Sequence, residues 1–467
     1  MKNSICHYDV NMRKLLEVIN NEPAGIAFII DDKSKLCGVV TDGDFRRMLL
    51  KGKSLDESLK KSDLSGFVVA KQGQTIDELL KITSKRVRLI PIVNEKGEPV
   101  DYFRYEHRVN MMPVAEPDLK GNEFKYLSDA FLSTWISSKG KYIDTFEENF
   151  SKFCECKHGI AVSNGTVAIH LALKALGIGV GDEVIVPDLT FAATINTVLH
   201  SGATPVIVDI DPESWCISTT EIEKAITKKT KAIIPVHVYG QPCDMDAIMS
   251  IAKKHKFFVI EDAAEAHGAK YKGKRVGSFG DISCFSFYGN KIITTGEGGM
   301  CLTNDSKLDE RMRILRDHGM SKTKRYWHDE VGYNYRTTNI QAAIGVAQLE
   351  RVEQIIAERK LVEQSYKKTL KDISFIQWQK DISGNERVVW LVSIELKDVN
   401  RDVLFEILSK HGVDTRPFFY PLSEMDIYKP YVFSSSNSKT ISFKGMNLPT
   451  IRNIDYEKIF TAFKSLA

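Results

Sequence analysis

Four short runs of this chain are almost entirely apolar: Glu183-Val-Ile-Val-Pro187, Thr204-Pro-Val-Ile-Val-Asp209, Lys231-Ala-Ile-Ile-Pro-Val236 and Phe257-Phe-Val-Ile-Glu-Asp262. A strand with one wet face alternates apolar and polar residues. These runs do not, so both faces of their sheet must be covered. Helical patterns separate them, and strands alternating with helices build a layered α/β domain around a mostly parallel central sheet. The pattern places this domain at residues 119–350, with a long helical stretch over 339–370. A strand at 388–396 and a helix at 401–411 then suggest a smaller α+β domain over 351–467.

The first 108 residues are different. Ile26-Ala-Phe-Ile-Ile-Asp-Asp-Lys-Ser-Lys35 lies without gaps on Leu89-Ile-Pro-Ile-Val-Asn-Glu-Lys-Gly-Glu98 at an offset of 63 residues. The same offset lays Leu16 on Leu79 and Ile19 on Ile82, inside two helical patterns. Each copy reads helix, strand, turn, strand. Two copies of this length are too few for a solenoid, so a paired domain is expected. The segment resembles a pair of CBS domains over about residues 9–107. Its most specific piece is Gly38-Val-Val-Thr41-Asp-Gly-Asp44. The resemblance implies that Thr41 and Asp44 contact the ribose of an adenine nucleotide, and an adenine or guanine nucleotide is the ligand expected. The plainer alternative is that both cap the following helix. In the second copy the matching residues are Arg104 and His107, so at most one nucleotide per chain is expected. Residues 109–118, with two prolines and no periodicity, read as a linker.

Composition excludes several classes. Of 467 residues, 64 are Lys or Arg and 61 are Asp or Glu, for a net charge of +3. That balance gives no support for nucleic acid or an anionic membrane as a partner. The eight cysteines form no CxxC pair, so no metal is expected and the thiols read as free. No run of about 18 apolar residues is present and the N-terminus lacks an apolar leader. A cytoplasmic protein without a membrane span is the expectation.

Three features point to chemistry. Ser163-Asn164-Gly165-Thr166 is a small-residue turn opening an apolar helix, a place where backbone N–H groups bind phosphate. Asp262 stands at the carboxyl end of an apolar strand, where ligands of open parallel sheets sit. A carboxylate there needs a cation, and a protonated pyridine nitrogen is one. Lys291 follows 29 residues later in Ser286-Phe-Tyr-Gly-Asn-Lys291-Ile-Ile-Thr-Thr-Gly-Glu-Gly-Gly299. Burial would lower its pKa and free the amine for Schiff-base chemistry. Phosphate turn, strand-end Asp and following Lys stand in the order that a pyridoxal 5'-phosphate site requires.

Six ordered motifs now carry a second resemblance, over residues 113–467. They are Ser163-Asn-Gly-Thr166, Pro187-Asp-Leu-Thr-Phe-Ala-Ala-Thr194, Pro235-Val-His-Val-Tyr-Gly240, Glu261-Asp-Ala-Ala-Glu-Ala-His-Gly268, the Lys291 segment and Gly332-Tyr-Asn-Tyr-Arg336. Together they resemble the DegT/StrS sugar-nucleotide aminotransferases, fold type I pyridoxal-phosphate enzymes, with wording closest to the perosamine synthase branch. The resemblance implies a cofactor linked to Lys291 and a ring nitrogen paired with Asp262. It implies Phe191 stacked on the ring, and Gly165, Thr166 and Ser286 on the phosphate. Glu265 stands near the ring hydroxyl, where many relatives carry Gln. Asn334 would reach the phosphate of a neighbouring subunit, making a homodimer or larger assembly. Arg416 is a candidate on the substrate side.

The expected reaction moves nitrogen from glutamate to a nucleotide-linked 4-keto-6-deoxyhexose, as in the biosynthesis of surface polysaccharides. Rivals are a sugar 3-aminotransferase, a sugar 3-dehydratase and a non-catalytic CBS-led ligand sensor. Dehydratase relatives carry His at the lysine position. An intact Lys291 and Asp262 speak against the sensor.

Overall fold

The computed structural model describes residues 4–22, 25–60, 63–64, 66–83, 89–104 and 111–466. The chain divides into two compact units, Met1–Val109 and Asn110–Ala467.

In the first unit the repeat is visible as two three-stranded sheets. One joins Ile5–His7, Ile26–Ile30 and Leu36–Thr41; the other joins Ala70–Lys71, Leu89–Val93 and Pro99–Arg104. The hairpins keep one register. Ile26 faces Thr41 and Leu89 faces Arg104, and a bulge falls at Ile29/Ile30 and again at Ile92/Val93. Even the turns match: Asp31 accepts the N–H groups of Lys33 and Lys35, and Asn94 those of Lys96 and Glu98. Such side-chain-to-backbone bonds set the turn in both copies.

The helices break the 63-residue offset. They start at Met12 and Ile76, an offset of 64. Leu15, not Leu16, is therefore the counterpart of buried Leu79. Leu15 is fully buried, whereas Leu16 is exposed. The one-residue difference lies between helix and strand, where a gapless match of the hairpins cannot see it. The copies meet through the Leu36 N–H to Gly97 O bond (2.9 Å) and the Phe28–Tyr102 ring contact.

The second unit is built on a seven-stranded sheet. Its spatial order is His158–Val162, Gly299–Thr303, Ile282–Ser286, Phe258–Asp262, Thr230–Ile233, Glu183–Pro187, Thr204–Val208. Gly299–Thr303 runs antiparallel to both neighbours and the other pairings are parallel. Alternate residues feed two separate cores. Ile185, Ile233, Val259 and Phe285 pack on one side; Val184, Val186, Ile260, Ile282 and Cys284 pack on the other. Burial on both faces is why these strands contain no alternation.

The C-terminal part forms a four-stranded antiparallel sheet in the order Ile376–Trp378, Val392–Leu396, Gly445–Leu448, Arg416–Pro417. Residues of the helices Val352–Thr369, Arg401–Lys410 and Tyr456–Lys464 share its core, including Tyr366, Leu404, Leu408 and Phe463.

Three expectations need correction. The helical stretch over 339–370 is two helices, Asn339–Leu349 and Val352–Thr369. Arg351 sits between them with φ −119°, and its guanidinium bonds Asp118 at 3.1 Å. The strand expected over 388–396 is regular only from Val392, because Val388 N–H is bonded to Gly240 O and Trp390 O to Arg359. Most of the expected linker is not free. Met112 exchanges bonds with Gly412 and Asp414, Val114 O accepts from Thr450, and Asp118 pairs with Arg351 and Arg452. Those partners lie hundreds of residues away, beyond the reach of a local pattern.

Candidate active site

The site is assembled at the carboxyl ends of the central strands. Asn164 caps the helix Gly165–Ala175 by accepting the Val167 N–H at 3.0 Å. The first-turn N–H groups have no partner inside the helix. A β-carbon at Gly165 would lie 2.8 Å from the Ser286 β-carbon. Only glycine lets this helix start approach the end of the strand Ile282–Ser286. Gly165, Thr166 and Ser286 thus form a small cradle with donors of the type that holds a phosphate.

The strand Phe258–Asp262 ends in two buried carboxylates that point to opposite faces. Glu261 accepts from the N–H groups of Gly277, Phe279 and Gly280, each at 2.7 Å, from the Ser283 hydroxyl at 3.0 Å and from His237 at 3.1 Å. Burial pushes its pKa up, but His237 and the backbone donors outweigh this and hold it below the ordinary value. Asp262 receives less. It accepts from the Thr194 hydroxyl at 2.8 Å and, at 3.3 Å, from the Ala264 N–H. Both groups are neutral. Burial dominates, and its pKa is raised.

Lys291 lies in the turn after Ser286, its side chain 11% exposed and its N–H bonded to Tyr288 O. Its Nζ lies 3.7 Å from Glu265 Oε1 and 4.0 Å from the centre of the Trp390 ring. Burial lowers its pKa, opposed by Glu265 and Asp262. Burial pushes the Glu265 carboxyl up to about 7, despite Lys291 and the Tyr239 N–H bonded to it at 2.8 Å. The acid at the glutamine position therefore has a cation beside it.

The remaining expected residues are placed as follows. Phe191 is 60% exposed, its ring 5.9 Å from that of Phe419. Its loop is tied to the site through Thr190, whose hydroxyl meets that of Thr194 at 2.9 Å. Asn334 is exposed and accepts from Arg336. Arg416 is exposed and pairs with Asp414 rather than with any member of the lysine cluster. Thr41 and Asp44, in the other unit, form a reciprocal capping box for the helix Asp42–Leu50, and Asp44 also pairs with Arg47. Arg104 ends a strand, and His107 lies outside the described residues.

Sequence reasoning missed Thr194, Tyr239, Arg359 and Trp390. Thr194 and Tyr239 stand inside motifs already singled out. Trp390, within a run of valines and leucines, carried no signal of its own.

A largely buried amine in the turn after one strand, a buried carboxylate at the end of its neighbour and a glycine-opened helix are the parts of a pyridoxal-phosphate site of fold type I. The chain belongs to the DegT/DnrJ/EryC1/StrS aminotransferase family, whose pattern matches residues 117–466. It is 46% identical over 356 residues to a GDP-perosamine synthase of Escherichia coli O157:H7, covering 76% of this chain and 97% of the relative. A GDP-perosamine synthase of Caulobacter vibrioides is 47% identical over 360 residues, covering 75% and 96%. Among solved structures, DesV of S. venezuelae aligns with a TM-score of 0.69 at 32% identity, covering 74% of this chain and 94% of that one. The sugar aminotransferase Spr1654 of Streptococcus pneumoniae, solved in PMP and PLP forms, aligns at 0.72 and 28%, covering 76% of this chain. The protein is a pyridoxal-phosphate-dependent aminotransferase.

The residues suit that cofactor. The Gly165–Ser286 cradle would be filled by any side chain at position 165. Asp262 is a buried carboxylate whose donors among the described residues are neutral, and a protonated ring nitrogen would supply the missing charge. Among the described residues, no group of His, Cys, Asp and Glu could hold a metal ion, and no helix is long and apolar enough to cross a membrane.

Proposed function

We propose that this enzyme places an amino group on C-4 of a nucleotide-linked 4-keto-6-deoxyhexose, with glutamate as amino donor, for surface polysaccharide or glycan biosynthesis. The similarity to GDP-perosamine synthases along nearly their whole length carries this reading. It also makes a GDP sugar the first substrate to try.

In this reading Lys291 would hold the cofactor, and its amine would take and return the proton at the reacting carbon as general acid and base. Asp262 would keep the ring nitrogen protonated. Gly165, Thr166 and Ser286 would hold the phosphate. Phe191 would cover the ring, where offset aromatic contact is favourable. Glu265 would face the ring hydroxyl, beside the Lys291 amine at 3.7 Å. When bound, the cofactor would supply an electron sink and a carrier for the amino group. The 3-dehydratase alternative is disfavoured by Lys291 itself. The 3-aminotransferase alternative is separated by product analysis. Incubation with glutamate and a panel of GDP-, UDP- and dTDP-linked 4-keto sugars should give a 4-amino product by mass and NMR. A 3-amino product, or none from any sugar, would overturn the reading.

The assembly we propose is a homodimer or a multiple of one, with Asn334 reaching the neighbour's phosphate. Its support is an exposed Asn334 and a row of exposed apolar residues, Phe131, Leu132, Trp135 and Ile136. Mixing inactive Lys291→Ala and Asn334→Ala subunits should restore some activity, because one hybrid site holds both intact residues. No recovery despite subunit exchange would count against a shared site.

For the first unit we propose a CBS pair that binds one adenine or guanine nucleotide at Thr41 and Asp44. The matched hairpins and turns of the two copies support the paired domain. Calorimetry with a nucleotide panel tests the binding. Silence across the panel would leave Thr41 and Asp44 as helix caps.

A further inference from the structure

Trp390 stands 99 residues after Lys291, yet its indole ring lies directly under the reactive amine. Its position is fixed from three sides. The indole N–H donates to Asn290 O at 3.0 Å, the residue before Lys291. The Trp390 carbonyl accepts from Arg359 Nη1 at 2.6 Å, and Arg359 Nη2 donates to Lys291 O at 3.3 Å. The rings of Tyr239 and Phe419 stack with it at 6.1 and 6.3 Å, with interplanar angles of 12° and 27°. One buried arginine therefore ties the backbones of both residues together.

A buried indole N–H usually finds an acceptor; here the acceptor belongs to the lysine's own turn, so the ring and the amine are held together. An ammonium 4.0 Å from an indole centre, out of water, is held by the negative face of the ring. We infer that Trp390 is a positioning residue that seats the Lys291 ammonium whenever the amine is not joined to the cofactor, keeping the proton and the nitrogen at the place from which both must return. This rests on the assignment of Lys291 as the reactive amine.

The other charged and titratable groups around the amine are few. Glu265 lies at 3.7 Å, and Asp262 acts at longer range. His267 is buried, and burial with Lys291 nearby keeps it neutral by lowering it to about 3. Arg359 reaches the lysine carbonyl, and burial lowers its own pKa to about 10. Glu265 and the ring thus favour the ammonium on two sides of it, the ring without adding a titrating group.

The test uses the full-length protein freed of cofactor. Acetic anhydride in limiting amount is applied across a pH series, and acetylation of Lys291 is followed by peptide mass. In Trp390→Met, which keeps bulk but loses the ring, the pH of half-labelling should fall by about one unit relative to wild type. Trp390→Phe retains an aromatic face and should fall by less than half of that. Glu265→Gln supplies the scale for losing the other partner. A Trp390→Met protein with the wild-type half-labelling pH would overturn the inference. Should Trp390→Met not fold, a half-labelling pH in Trp390→Phe equal to or above wild type overturns it instead. Reductive borohydride trapping on the wild type is run beside it. A cofactor adduct away from Lys291 would refute the underlying assignment, whatever the labelling shows.

Discussion

Glu261 and Asp262 are neighbours on one strand, both buried, yet they serve opposite purposes. Glu261 faces the core that holds Val259 and Phe285 and receives five donors. Asp262 faces the other side, toward the helix that opens at Gly165, and receives two. The first is a finished network that ties the loop 277–281 to the sheet. The second is a charge left for something else to meet. Equal burial with unequal donor supply separates a structural carboxylate from one awaiting a ligand.

The sharpest way to break this contrast is to remove each carboxylate in turn. Asp262→Ala should lower kcat by at least about 100- to 1,000-fold, the scale for losing a preorganised electrostatic partner, while the melting temperature of the cofactor-free protein stays near wild type. Glu261→Ala should do the reverse. It strands His237 and three backbone N–H groups, and breaking such a buried network costs about 3–5 kcal/mol. Thermal unfolding reads that loss, and activity per folded molecule should survive. Equal stability losses in both variants would remove the distinction.

A third carboxylate, Glu265, lies between these extremes, and pH is its probe. Its folded pKa is raised from 4.5 to about 7. Below pH 4.5 it is neutral folded or unfolded and costs nothing. As pH rises from 4.5 to 7 the unfolded chain ionises first, so stability falls across that window, then levels. In the site, ionisation near pH 7 places a full charge 3.7 Å from Lys291 Nζ. The pH–activity profile should carry a step near 7 that Glu265→Gln removes, with activity otherwise retained within about tenfold. A persistent step in the Gln variant would assign it elsewhere. The smallest effect belongs to Thr194→Val. Removing one neutral hydrogen bond to Asp262 should weaken cofactor binding by about three- to tenfold, on the order of 1 kcal/mol, measured by spectroscopic titration.

Much of this was legible in the sequence, for identifiable reasons. The apolar runs announced a sheet covered on both faces because period and burial are local properties. Asp262 and Lys291 could be singled out because strand ends and glycine turns leave marks in the chain. What escaped depended on distant partners. Glu261 reads no differently from Asp262 until the loop 277–281 folds over it. Segment 112–118 looked like a linker because its bonds run to Gly412 and Asp414. Trp390 had no motif, since its role arises from a contact made across the fold. In the first unit Thr41 and Asp44 were open to two readings, and the capping box they form satisfies both side chains locally.

The central claim is that Lys291 carries the cofactor of a transaminase. Purified protein should absorb in the visible range, and borohydride should abolish that band. Peptide mapping of the reduced protein should then place one cofactor-sized adduct on the peptide containing Lys291, and none in Lys291→Ala. An adduct on another lysine, or an unmodified Lys291 in reduced protein that had been fully active, would contradict the account.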